Sequence, residues 1–62
     1  MTVNQARKHF GLKITDTIYL DGVKDMEKRA NAIISYCRGK DLVKEAWADL
    51  EACRALRAIA VY

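Results

Sequence analysis

Apolar side chains recur at helical spacing over the last third of the chain, from Leu42 to Val61. The stripe consists of Val43, Ala46/Trp47, Leu50, Cys53, Leu56 and Ile59/Ala60. This period predicts an amphipathic helix over about 41–60, with Trp47 on the face that enters a core; the alternative for Trp47 is a binding hot spot. A line of small residues beside the stripe, Ala48, Ala52 and Ala55, allows another backbone to approach closely.

A second helical pattern precedes this one. Its apolar positions alternate at spacings of three and four, at Val23, Met26, Ala30, Ile33 and Cys37. The spacing predicts a helix over about 22–38, with Asp21 as N-cap and Asp41 as the cap of the following helix. Because only 39–41 separate the two patterns, we expect an antiparallel hairpin. Its register places Ile33 and Ile34 opposite Ala46 and Trp47, Ala30 opposite Leu50, and Met26 opposite Cys53.

The first twenty residues read differently. Thr2–Phe10 has fair helix propensity and is followed by Gly11, a typical C-cap, which predicts a short helix or an arm that orders on binding. Residues 13–20 (KITDTIYL) alternate with period two and are rich in β-branched and aromatic side chains, which predicts a strand. A lone strand leaves its backbone groups unpaired, so we expect it to pair with the same strand of a second copy. The alternative is an all-α three-helix module.

The small size of the chain also favours self-association. The 62 residues form one small domain, 1–62, that is 52% apolar. So short a chain has a marginal core, and self-association as a homodimer is the default expectation. No apolar run reaches the roughly 18 residues that cross a bilayer, and Met1–Lys13 lacks the apolar segment of a signal peptide. We therefore expect a cytoplasmic protein with no membrane partner.

Candidate chemistry is sparse. Two cysteines and a single histidine, His9, do not make a zinc site, and we expect Cys37 and Cys53 to be buried and unbridged. His9 is expected to be a solvated surface residue. The carboxylates form no recognisable acid/base pair, and there is no phosphate-binding glycine loop or nucleophile motif. The sequence predicts a protein that is not an enzyme and uses no cofactor or metal.

Charge suggests where a polyanion would bind. The net charge is +3, and residues 1–20 carry +2 of it. In a two-stranded ribbon, one face of the predicted strand would present Lys13, Thr15 and Thr17 to base edges in the major groove. Phosphates would be held by Arg7, Lys8, Lys40 and Lys44. The alternative for 13–20 is an extended connector that lies over the hairpin.

The order strand, helix, short turn, helix resembles the ribbon-helix-helix repressors. The resemblance is carried by KITDTIYL at 13–20 and by LVKEAW at 42–47, and it covers residues 13 to about 60. Asp16 stands at an inward ribbon position where that family prefers an apolar residue. The resemblance implies a homodimeric DNA-binding regulator.

We therefore expect a small homodimeric transcriptional regulator that binds double-stranded DNA. The alternative is a helical-hairpin interaction module that inhibits or adapts a larger protein, through the alanine-rich face of the last helix or through the N-terminal segment. The alternative predicts an exposed apolar patch on the free protein. A helix-turn-helix over Val3–Leu12 ranks last, because its alanine-to-glycine spacing is one residue too long.

Overall fold

A computed structural model describes residues 1–36 and 39–62. In these ranges the chain forms three helices, α1 (Val3–Phe10), α2 (Leu20–Tyr36) and α3 (Lys40–Arg57), and no named strand. Both α1 and α2 pack against α3. Glu27, early in α2, is hydrogen-bonded to Arg57 at the end of α3, so these two helices run antiparallel. The predicted hairpin is confirmed, and the fold is the all-α three-helix module that was the alternative.

Helix α1 is capped at both ends, and its C-cap at Gly11 is the predicted one. The Thr2 side chain accepts a hydrogen bond from the Gln5 backbone N–H, and the Gln5 side chain accepts one from the Thr2 N–H, which completes a capping box. Gly11 follows in the left-handed conformation with a φ of 71°. There the Leu12 N–H donates to the Arg7 carbonyl at 2.8 Å, as in a Schellman motif.

The strand predicted over 13–20 is wrong. Asp16 closes a turn instead: its side chain accepts from the Lys13 N–H at 2.8 Å, and its N–H donates to the Lys13 carbonyl at 3.0 Å. This is the hydrogen bonding by which Asp competes with extended structure. Strand-like pairing survives only as an isolated parallel bridge between Tyr19 and Val61. The inter-copy ribbon that rested on this strand is therefore not formed by these residues.

Three helix boundaries also differ from the prediction. Helix α2 begins at Leu20, so Asp21 lies in its first turn and is not the N-cap. Helix α3 begins at Lys40 after Gly39, which caps it without a side-chain hydrogen bond, and Asp41 lies within its first turn. In both places the carboxylate interacts favourably with the positive end of the helix dipole. Helix α3 ends at Arg57, earlier than the predicted residue 60. The predicted end of α2 at residue 38 lies outside the described residues.

The core lies where all three helices and the α1–α2 connection meet. Its buried cluster consists of Ala6, Ile18, Val23, Ala52, Cys53 and Leu56. Met26 packs against this cluster from α2, and Ala30 and Ala46 are also buried, which agrees with the predicted apolar faces of the two helices. Ala52, on the line of small residues, is fully buried. Ala52 shares the core cluster with Ala6 of α1, and Ala55 packs against it, so this part of the line is covered and is not open to an external partner.

Candidate functional site

A shallow groove of about 950 Å³ runs along the outer side of the α2–α3 hairpin. Helix α3 forms most of its wall, and α2 contributes two polar side chains. We call it the hairpin groove; it is lined by Glu27, Asn31, Lys44, Trp47, Ala48, Leu50, Glu51, Arg54 and Arg57. The predicted DNA-binding set shares only Lys44 with it.

Trp47 is the largest apolar side chain in the hairpin groove. It is 57% exposed, so the prediction that it belongs to the core is wrong. The reason is that two helices pack on α3. The buried arc includes Ala46, Cys53 and Leu56 and is centred toward the side that α1 covers. Trp47 lies about 100° around the helix from Ala46, which places it beyond the edge of this arc.

An ion pair closes one end of the hairpin groove. Arg57 donates from Nε to Glu27 Oε1 at 2.6 Å and from a terminal nitrogen to Glu27 Oε2 at 2.8 Å. This two-pronged hydrogen bond to Arg57 holds the pKa of the Glu27 carboxyl below its ordinary value, against the opposing effect of burial. The same bond raises the pKa of the Arg57 guanidinium. Both groups are therefore charged at neutral pH and compensate each other.

The other charges of the hairpin groove are less evenly matched. Glu51 lies 3.5 Å from the N-terminal amine, and its side chain is 63% exposed. Lys44 and Arg54 are exposed and take part in no ion pair with the residues described. Once Glu27 and Arg57 have cancelled, two cations and one carboxylate remain along the wall, which gives the groove a local positive excess.

The residues predicted to contact DNA are divided between two parts of the molecule. One group lies on α1 and the connection after it, the other at the start of α3: Arg7, Lys8, Lys13, Thr15 and Thr17 in the first, Lys40 and Lys44 in the second. His9, which follows Arg7 and Lys8 on α1, contacts Asp49, and Asp49 follows Lys40 by nine residues. The two groups are therefore separated by about 14 Å along α3 at about 1.5 Å per residue. Lys13, Thr15 and Thr17 are exposed but lie in a turn region, not on a ribbon face.

Sequence reasoning also missed a contact between α1 and α3. His9 is exposed, as expected, but its Nε2 also lies 2.6 Å from Asp49 Oδ1, and its ring packs edge-on against Phe10. The partners are forty residues apart in the chain, and no local pattern connects them. Together with buried Ala6, this contact fixes α1 on α3.

The remaining chemistry-bearing residue is Cys53. It is free and buried, as predicted, and desolvation raises the pKa of its thiol to about 11. A thiol so rarely ionised is a core residue and not a nucleophile. Cys37 lies outside the described residues. Within 1–36 and 39–62, no group of His, Cys, Asp and Glu has an arrangement that would hold a metal ion.

The groove residues had a weak signature in the sequence. Lys44, Trp47, Glu51 and Arg54 follow at spacings of three and four, which places them on one flank of α3.

In the part of the chain that the structure describes, no helix is long and apolar enough to span a membrane. Comparison with protein-family models, curated proteins and solved structures finds no match to this chain.

Proposed function

We propose that this chain is a small interaction module that binds a helical segment of a larger protein in the hairpin groove. The observation that carries the proposal is the exposure of Trp47 in a concave site. More than half of its accessible surface remains open to solvent, while Leu50 and Ala48 supply a half-buried apolar floor.

The physical basis is the gain from covering this side chain. Tryptophan is enriched among the residues that dominate binding energy at protein interfaces, because its large rigid surface is desolvated at little entropic cost. A groove between two antiparallel helices accepts a third helix along its length, with apolar anchors at helical spacing. Polar groups at the rim then fix its orientation. In the hairpin groove, α3 supplies both the apolar anchor, Trp47, and charged side chains at the rim.

The DNA-binding hypothesis has lost the ribbon that would have read bases. Its remaining support is the basic bias of residues 1–20. Titration with duplex DNA across a salt series separates the two hypotheses, because phosphate contacts release counterions and make affinity steeply salt-dependent. The interaction module predicts no such affinity in the micromolar range. Binding that is lost in a Lys8→Ala/Lys13→Ala variant would favour DNA and refute the proposal.

A peptide titration followed by backbone amide NMR tests the groove directly. The probes are synthetic amphipathic helices of about 18 residues with one leucine-rich stripe and polar faces of differing charge. We expect at least one to shift the amides that line the hairpin groove and to lose affinity at least tenfold with Trp47→Ala. The matched control is Tyr36→Ala, since Tyr36 is 86% exposed on α2 but outside the groove. Equal loss in both variants, or no peptide binding, would refute the proposal.

A further inference from the structure

We infer that the helix bound by the hairpin groove is acidic, with carboxylates flanking its apolar stripe. The inference rests on the proposed function and specifies the chemistry of the partner. It comes from the charges that the groove leaves uncompensated.

Each of the two carboxylates of the groove has a cation beside it: Glu51 lies 3.5 Å from the N-terminal amine, and Glu27 is bonded to Arg57. Both oxygens of Glu27 accept hydrogen bonds from Arg57, at 2.6 and 2.8 Å. A partner therefore meets this pair as a neutral unit whose hydrogen-bonding groups are largely satisfied. A basic partner would have to compete with the bidentate guanidinium for Glu27, which is a poor exchange.

The basic side of the groove is free to bind. Lys44 and Arg54 form no ion pair with the residues described, and both are exposed. Arg54 is near enough to Glu27 to help lower the pKa of its carboxyl, but that carboxylate is hydrogen-bonded to Arg57. They are ten residues apart, so their backbone positions are separated by about 15 Å along α3. Trp47 lies between them, and Arg54 follows it by two helical turns on nearly the same line. A helix lying along α3 would thus set its apolar anchor on Trp47 and one carboxylate at each end.

A second copy of this chain competes for the groove, and the charges of α3 favour or disfavour it according to the register. In a two-fold antiparallel pairing of α3 centred on residue 49, Lys44 of each copy lies opposite Arg54 of the other, which is unfavourable. In a pairing centred between residues 47 and 48, Lys44 lies opposite Glu51 instead, so the concentration dependence of Trp47 emission has to distinguish this occupant from an acidic peptide. A single-stranded nucleic acid would stack on Trp47 and meet both cations, but its phosphates would also pass the exposed carboxylate of Glu51. An acidic peptide carries discrete charges that avoid this position.

Three peptides with one leucine stripe test the inference. Their flanking positions are all Glu, all Gln or all Lys, with Glu and Lys content balanced elsewhere to keep helicity equal. Binding is followed by the fluorescence of Trp47, the single tryptophan of the chain. We expect the Glu peptide to bind about tenfold more tightly than the Gln peptide at low salt, and the advantage to shrink as salt screens the charges.

Charge reversal in the protein provides the decisive comparison. Lys44→Glu/Arg54→Glu should abolish or invert the preference, so that the Lys peptide binds best. The control, Lys8→Glu/Lys13→Glu, makes the same change in net charge outside the groove and should leave the order unchanged.

The two proposals fail in different ways. Equal affinity for all three peptides, or an unchanged order in the double reversal, would overturn the acidic partner and leave the groove intact as a binding site. Absence of any effect on Trp47 would overturn the binding function and the acidic partner together. Tighter binding of an oligothymidylate than of the Glu peptide would overturn both in favour of a nucleic acid. Concentration-dependent burial of Trp47 without peptide would overturn both in favour of a second copy.

Discussion

Truncation of Leu56 should remove a large part of the stability of this fold. Leu56 is fully buried, and it lies in the cluster to which α1, α2 and α3 all contribute. A Leu→Ala change at such a site costs about 2–5 kcal/mol, since it loses the transfer free energy and leaves a cavity. The whole domain, at about 0.05–0.15 kcal/mol per residue, has on the order of 3–9 kcal/mol. We therefore expect Leu56→Ala to lower Tm by more than about 10 °C.

Urea unfolding followed by far-UV circular dichroism measures this loss as a shift of the midpoint at constant slope. The control is Leu42→Ala, the same substitution on the same helix at a position that is 51% exposed. It should cost about 1 kcal/mol or less. Equal destabilisation by both variants, or a Leu56→Ala protein as stable as the wild type, would refute the packing of α1 and α2 around this residue.

Further predictions concern the backbone, the buried thiol and the ion pair. Gly11→Ala should destabilise the fold by about 1 kcal/mol because the φ of Gly11 is 71°. Gly22→Ala should stabilise the fold by up to about 1 kcal/mol, because Gly22 lies in a helix with open space around it. Urea midpoints measure both changes, and equal effects would contradict the assigned cap. Because the pKa of Cys53 is raised to about 11, its thiolate fraction at pH 8 should be about 100-fold below that of an ordinary thiol. Alkylation followed by mass spectrometry should therefore find Cys53 protected until urea unfolds the chain. The folded-state pKa of Glu27 is depressed, so its contribution to stability is present above the ordinary value of 4.5 and lost as pH falls through the lower folded value. Glu27→Gln should therefore flatten the acid side of the curve of unfolding free energy against pH. An unchanged curve in this variant would exclude the bond to Arg57.

Much of the fold follows from local sequence patterns. The Thr2–Gln5 capping box and Gly11 bound α1, and the periodic apolar positions of α2 and α3 identify their buried faces. These signals are reliable because each depends on residues within one or two turns of one another. The antiparallel hairpin then follows from the short connection alone.

The strand error arose from a local interaction that periodicity does not reveal. The alternation over 13–20 predicted a strand, but the Asp16 side chain stabilises a turn there, and the backbone pairing with Val61 involves residues 18–20. Asp16 was the one residue that broke the apolar face of the predicted strand, and it is the residue that closes the turn. Period alone could not reveal that the backbone had a better local alternative.

The groove was missed because it depends on how the helices pack against one another. The stripe on α3 was taken to pack against one helix, whereas α3 packs against two, and the additional helix shifts the buried arc away from Trp47. The placement of α1 depends on Ala6 and on the contact between His9 and Asp49, which are distant in sequence from the residues they meet. The exposure of Trp47 therefore follows from the tertiary arrangement and not from the pattern along α3.

Acrylamide quenching of Trp47, with and without the Glu-flanked peptide, tests the central claim most directly. The account predicts an emission that is accessible to quencher and independent of protein concentration in the free protein, and that becomes shielded as the peptide saturates. The variant with both groove cations reversed should show the same accessibility without shielding by this peptide. Emission already shielded in the free protein, or left fully accessible at saturating peptide, would contradict an open groove that binds an acidic helix.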